Sequence, residues 1–251
     1  MDRRQDPVGV FDSGVGGISA LREMRRVLPS ETFIYYGDIR NAPYGTKSTD
    51  EVIGCARAVV RELLDQKIKA LVIACNTATG AAAATLRREL SIPVIGMEPA
   101  LKPASELRKD GKILVLATPL TLHQEKFDRL MEKYGEGAER VPCNGLMELV
   151  ETEDTEGARS YLKELFTRYP PEKVDAVVLG CTHYVFLKDM FREMLPERIA
   201  ITDGNAGTAR QLRRVLKREG LLNPEGPGTV ELETSGTEKD IALMRKLLNN
   251  S

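Results

Sequence analysis

An interval of 106 residues constrains this chain more than any other feature of its sequence. Cys75 closes the apolar run Ala70-Leu-Val-Ile-Ala-Cys75, and Cys181, 106 positions on, closes Ala176-Val-Val-Leu-Gly-Cys181. Asp12 ends Val8-Gly-Val-Phe11, and Thr118, again 106 further, ends Ile113-Leu-Val-Leu-Ala117. At the same spacing residues 32–36 map onto 138–142, and 93–95 onto 199–201. An interval kept over four strand-like segments indicates one fold used twice, with an equivalent cysteine in each copy. Such a pair of thiols suits chemistry that needs one group on each side of a substrate.

Short apolar runs alternate with helical patterns, which predicts an α/β fold with mostly parallel sheets. In the first copy the pattern places strands near 7–12, 32–37, 69–74 and 93–95, separated by helices near 16–28, 48–66 and 77–90. Pro29 stops the first helix, and Ser48 with Glu51 reads as a capping box for the second. The second copy repeats the order, with strands near 112–117, 138–142, 174–179 and 198–202. Helices are expected between them near 121–134, in two pieces over 145–168, and near 185–194. A helix near 207–219, a strand near 229–233 and a helix near 237–248 exceed what a second copy needs, so they are expected to return to the first domain. The expected architecture is two pseudo-symmetric parallel-sheet domains, residues 1–97 plus 207–251 and residues 98–206, with the active site in the cleft between them.

Open parallel sheets bind ligands beyond the carboxyl ends of their strands. Asp12, Asp38, Cys75, Thr118 and Cys181 all fall at such ends. Cysteines at strand-to-helix junctions meet free backbone N–H groups and the helix dipole, both of which favour a thiolate. Cys55, inside a helix, and Cys143, without a polar companion, read instead as small apolar residues.

Other classes fit poorly. A net charge of −1 and 5% aromatic residues, with no Trp, offer neither a basic surface nor a stacking platform for nucleic acid. No apolar stretch approaches the roughly 20 residues of a membrane span, and the N-terminus shows no signal-peptide core. Four scattered cysteines fit a reducing cytoplasm better than a disulfide scaffold. With two histidines no zinc spacing exists, so no metal is expected. Asp12-Ser-Gly14-Val-Gly16-Gly17 lacks the third glycine of a dinucleotide fingerprint, since Ser19 stands there, and lacks the Lys of a Walker loop. That segment reads either as a tight turn opening a helix or as a carboxylate placed for an ammonium group or a thiol. Thiol phosphatases need an arginine six positions after the cysteine, where this chain has Ala81 and Leu187. His183, two residues beyond Cys181, is placed to orient that thiol or relay its proton.

Together Val10-Phe-Asp12-Ser13-Gly14-Val-Gly-Gly17, Tyr36-Gly-Asp38, Pro43-Tyr44-Gly45, Ala74-Cys75-Asn76-Thr77-Ala78-Thr79 and Leu179-Gly-Cys181-Thr182-His183-Tyr184 resemble the glutamate racemases, in order and over nearly the whole chain. The resemblance implies cofactor-independent interconversion of L- and D-glutamate, supplying the D-isomer for peptidoglycan, by a cytoplasmic homodimer. It implies that Cys75 and Cys181 exchange the proton, with Asp12 and His183 as their helpers. Substrate contacts would come from Asp12, Ser13, Tyr44, Gly45, Asn76, Thr77, Thr118, Thr121, Thr182 and His183, with Asp38 and Glu151 as accessory acids. Val185 and Asn144 stand where the family commonly has proline. Two competing readings are a racemase of another amino acid, such as aspartate, and a non-catalytic amino-acid-binding protein. A substrate panel and solvent-deuterium incorporation separate them.

Overall fold

The run Val8–Asp12 (β1) is buried along its whole length, as a strand covered on both faces must be. The computed structural model describes residues 2–249. Along the chain β1 is followed by Ile18–Val27 (α1), Phe33–Gly37 (β2), Thr49–Asp65 (α2), Ala70–Ile73 (β3), Asn76–Glu89 (α3) and Val94–Gly96 (β4). The capping box forms: Ser48 Oγ accepts from Glu51 N at 3.3 Å and Glu51 Oε2 accepts from Ser48 N at 2.8 Å.

Then come Leu101–Leu107 (α4), Lys112–Ala117 (β5), Pro119–His123 (α5), Glu125–Tyr134 (α6), Ala138–Pro142 (β6), Leu146–Glu151 (α7), Thr155–Arg168 (α8), Val174–Leu179 (β7), Lys188–Met194 (α9) and Ala200–Asp203 (β8). The chain closes with Asn205–Arg218 (α10), Val230–Thr234 (β9) and Glu238–Asn249 (α11). One helix is added and two local readings change. α4, for which no helix was expected, tolerates Pro103 in its first turn, where the missing N–H is not needed. The helix expected over 121–134 is broken at Gln124, whose backbone is extended. The segment after Cys181 is first a 3₁₀ turn, Thr182–Leu187, before α9 begins.

Two compact units result. One comprises the chain up to Glu98 and from Asn205 onward; the other is Pro99–Gly204. The first holds a sheet ordered β4-β3-β1-β2-β9 and the second a sheet ordered β6-β5-β7-β8. All strand pairs are parallel. Reading the second sheet from its other edge, β8-β7-β5-β6 reproduces β4-β3-β1-β2, and among the described residues β9 is the one strand without a counterpart.

The interval between copies is not uniform. Val8 pairs with Phe33 and Ile113 with Ala138, so β1 and β2 repeat at one common interval, which is 105 residues when Cys75 and Cys181 are taken as equivalent. Gly9 pairs with Leu71 and Leu114 with Val177, so β3 and β7 repeat at 106. A β-bulge supplies the extra residue: Lys112 faces Val174 but Ile113 faces Ala176, leaving Asp175 unpaired. The Asp175 carboxylate anchors the bulge by accepting from Lys109 N and Gly111 N, each at 2.7 Å.

Side-chain direction confirms the insertion, since a strand alternates faces with period two. Val174, Val177 and Leu179 pack with Leu114 and Leu116 on one face, while Ala176 and Val178 pack with Ile113, Val115 and Ala117 on the other. The odd step from 174 to 177 is the phase change of the bulge. The matches of Cys75 with Cys181 and of Asp12 with Thr118 therefore cannot both be in register. With the cysteines equivalent, the counterpart of Asp12 is Ala117, and Thr118 corresponds to Ser13.

Candidate active site

In the first unit the functional side chains stand at the carboxyl ends of β1, β2 and β3. Cys75 follows β3 and caps α3, its Sγ accepting from Ala78 N at 3.4 Å. That places the sulfur at the positive end of a fourteen-residue helix, where a thiolate is favoured. Ser13 Oγ lies 3.7 Å from the same sulfur. Asp12, fully buried at the end of β1, accepts from Gly14 N at 2.7 Å. The turn it begins is tight by necessity. A Cβ on Gly17 would lie 2.7 Å from Asp12 Cβ and 2.9 Å from the Tyr35 hydroxyl, which itself donates to Gly14 O at 2.8 Å. Asn76, the first residue of α3, donates from Nδ2 to Met97 Sδ at 3.5 Å. Its buried Oδ1 has no hydrogen-bond partner, so it is an acceptor held ready for a donor from outside. Thr77 and Gly45 are buried beside these groups in sequence.

Asp38 gathers three donors through four hydrogen bonds. It accepts from Tyr44 Oη at 2.6 Å, from Asn41 Nδ2 at 3.0 and 3.1 Å, and from Ser235 Oγ at 2.8 Å. Tyr44 follows a cis Ala42–Pro43 peptide and is almost fully buried. Burial first, and then the Asp38 hydrogen bond and charge, push its phenol well above the usual tyrosine range. The phenol also feels the thiols of Cys55 and Cys75.

The second unit assembles a different environment. Cys181 follows β7 and Gly180, and its Sγ lies 3.7 Å from His183 Nδ1. His183 Nε2 lies 2.8 Å from Glu151 Oε1 at the end of α7. Burial alone would disfavour a charged imidazole. The hydrogen bonds to Cys181 and Glu151 and the charges of both outweigh it and raise His183 well above the usual histidine value. Thr118 caps α5, its Oγ1 accepting from Thr121 N at 3.3 Å and donating to Thr121 Oγ1 at 2.9 Å. Thr182 and Thr121 are buried. Cys181 stands at the start of the 3₁₀ turn without making a side-chain cap bond to it, unlike Cys75 on α3, and its sulfur faces the His183 imidazole instead.

The remaining thiols behave as expected of structural residues. Burial pushes Cys143 up to about 12, and its Sγ donates to Val141 O at 3.5 Å. Burial likewise raises Cys55. Among the described residues no group of three His, Cys, Asp or Glu side chains could hold a metal ion, and no helix is long and apolar enough to cross a membrane.

The structure thus brings Asp12, Ser13, Asp38, Tyr44, Gly45, Cys75, Asn76 and Thr77 together in one unit and Thr118, Thr121, Glu151, Cys181, Thr182 and His183 in the other. Asn41, Met97 and Ser235 were not anticipated. Ser235 was recoverable: it follows β9, in Thr234-Ser235-Gly236, at a strand's carboxyl end.

The family model described as Asp/Glu/hydantoin racemase matches residues 16–212. A glutamate racemase of Clostridium botulinum (strain Kyoto / Type A2) is 47% identical over 255 residues, covering 99% of each chain. The crystal structure of a glutamate racemase from Bacillus anthracis matches with a TM-score of 0.86 at 32% identity, over 99% of this chain and 96% of that one. A glutamate racemase structure from Thermus thermophilus gives 0.80 at 36% identity, over 98% and 94%.

Proposed function

The chain belongs to the Asp/Glu/hydantoin racemase family, and we propose that it interconverts L- and D-glutamate by proton transfer to and from two cysteines, with no cofactor. One observation carries this reading. Two sheets of the same strand order each end their equivalent strand, β3 or β7, in a buried cysteine two residues beyond.

A glutamate Cα proton is a very weak acid, so its removal requires a positioned base and stabilisation of the charge that develops on the α-carboxylate. Inversion takes the proton from one face and returns one to the other. Cys75 and Cys181 would serve opposite faces, one as thiolate and one as thiol, exchanging roles with the enantiomer bound. The helix terminus at Cys75 and the His183–Glu151 pair at Cys181 would each favour the ionised sulfur. Asp12 and the unpartnered Asn76 Oδ1 supply acceptors for the substrate ammonium. Ser13, Thr77, Thr121, Thr182 and the backbone of Tyr44 and Gly45 supply donors for its carboxylates, where charge grows in the transition state, while Thr118 orients the Thr121 hydroxyl beside them. Asp38 and Glu151 support Tyr44 and His183 without themselves meeting the substrate. The product would feed peptidoglycan synthesis. A cytoplasmic location and a homodimer rest on the family resemblance, the latter to be read by sedimentation.

The test is a circular-dichroism time course with each enantiomer and no added cofactor. Optical activity should decay from both sides. Cys75→Ser and Cys181→Ser should each stop two-way racemisation and make Cα–H exchange in D₂O unequal between enantiomers. Wild-type rates in either variant would refute the two-base reading.

A further inference from the structure

The strand without a counterpart, β9, ends beside the loop that carries Tyr44. Its Thr234 Oγ1 donates to Gly37 O at 2.8 Å, and Ser235 N donates to the same carbonyl at 3.1 Å. Both bonds lock the chain end against β2, directly before Asp38. Ser235 Oγ then donates to Asp38 Oδ1 at 2.8 Å and accepts from Arg40 N at 3.0 Å. On the other side of that carboxylate, Asp38 Oδ2 accepts from Tyr44 Oη at 2.6 Å. A chain of charge-assisted hydrogen bonds therefore runs from the C-terminal segment, through one carboxylate, to a phenol that shares the electrostatic surroundings of Cys75.

From this we infer that Ser235 is a positioning residue for substrate binding, acting through Asp38 to fix Tyr44 and the 39–46 loop. Asn41 Nδ2 bridges both oxygens of this carboxylate, at 3.0 and 3.1 Å, and so does not distinguish them. Ser235 on Oδ1 and Tyr44 on Oδ2 add one shorter bond to each oxygen, and these set the tilt of the carboxylate plane and hence the position of the phenol. The backbone bond from Ser235 to Gly37 means the hydroxyl is placed by the sheet itself rather than by a mobile loop. The added strand then has a role in the first half-site that nothing in the second unit duplicates. This inference rests on the reading of Tyr44 as a substrate contact.

Two measurements decide it. Hydrogen exchange of full-length Ser235→Ala should be faster by about tenfold at the amides of residues 39–46, with α1 unchanged, and Ser235→Thr should restore protection. In kinetics Ser235→Ala should raise KM for both enantiomers about tenfold, as loss of a bond to a charged group allows, with kcat within about threefold. That effect should largely vanish when Ser235→Ala is made in a Tyr44→Phe background, because the hydrogen bond that Tyr44 donates to Asp38 is already cut. Unchanged exchange over 39–46, or an equal loss in both backgrounds, would overturn the inference. Exchange is readable whether or not glutamate turns over, so a wild-type protein inactive on glutamate would defeat the proposed function separately.

Discussion

Glu151 Oε1 lies 2.8 Å from His183 Nε2, so one imidazole joins a carboxylate to the Cys181 thiol on its other nitrogen. The histidine side chain is 2% exposed, and its charged form is held by these two partners against the penalty of burial.

Glu151→Gln should therefore lower the His183 pKa, and the alkaline limb of the kcat/KM profile should move to lower pH in both directions. The sign follows from linkage. A histidine raised above its ordinary 6.5 lends stability that is complete below that value and is lost as pH rises through the raised one. In the variant the loss begins at the same unfolded-state value, but it should be smaller and complete at lower pH. A pH–rate series read by circular dichroism, with thermal melts at each pH, checks both; an unmoved limb would contradict the assignment.

Cys75 has a structural duty beside its chemistry, because it caps α3. Cys75→Ser keeps an acceptor for Ala78 N, while Cys75→Ala removes it. The alanine variant should be less stable than the serine one by ~1 kcal/mol, a melting difference of about 2–4 °C for a chain of this size. Both should be inactive. Equal melting temperatures would show that the sulfur contributes nothing to the helix end.

Far from the thiols, at the amino ends of β2 and β3, Lys69 Nζ lies 2.5 Å from Glu31 Oε2 with side chains 0% and 1% exposed. Lys69 also donates to Arg4 O, and Glu31 Oε1 accepts from Asn223 N at 2.8 Å, so the pair ties both chain ends to the sheet. Lys69→Met would strand a buried carboxylate and should cost ~3–5 kcal/mol in denaturant unfolding. Removing both charges together should cost much less. Equal costs would show that packing, not charge, holds the corner.

Alkylation distinguishes the thiols. With its pKa near 12 and its side chain buried, Cys143 should resist iodoacetamide at pH 8 in the folded protein, since only about one molecule in 10⁴ would carry the thiolate. Peptide mapping after labelling, with a urea-unfolded control, reads this directly. Rapid folded-state labelling of Cys143 would refute its structural role.

Much of this was legible because periodicity and punctuation carry it. The strands at 112–117 and 174–179 have the bounds read from their apolar runs, and the strand at 138–142 has those read from its match to 32–36. Cys75, Asp12 and Asp38 were found because strand ends in parallel sheets are where ligands bind. The Asp175 bulge was not legible, since a polar residue inside an apolar run looks the same whether it pairs or bulges; only register and faces reveal it. The 3₁₀ turn after Cys181 was missed because apolar spacing does not separate 3₁₀ from α over two turns. Ser235 could be found as a strand-end residue, but not its contact, since its partner Asp38 is 197 residues away.

The two sulfurs are aided by unlike neighbours, a helix terminus and hydroxyl for one, an imidazole and carboxylate for the other. Mirror-image amino acids in water have equal free energy, so no arrangement of side chains can tilt the final mixture away from racemic. The dissimilar halves can set turnover and saturation separately for each hand, but the two must change in proportion. Any substitution that slows one direction at limiting substrate must slow its reverse by the same factor, however lopsided the architecture that causes it.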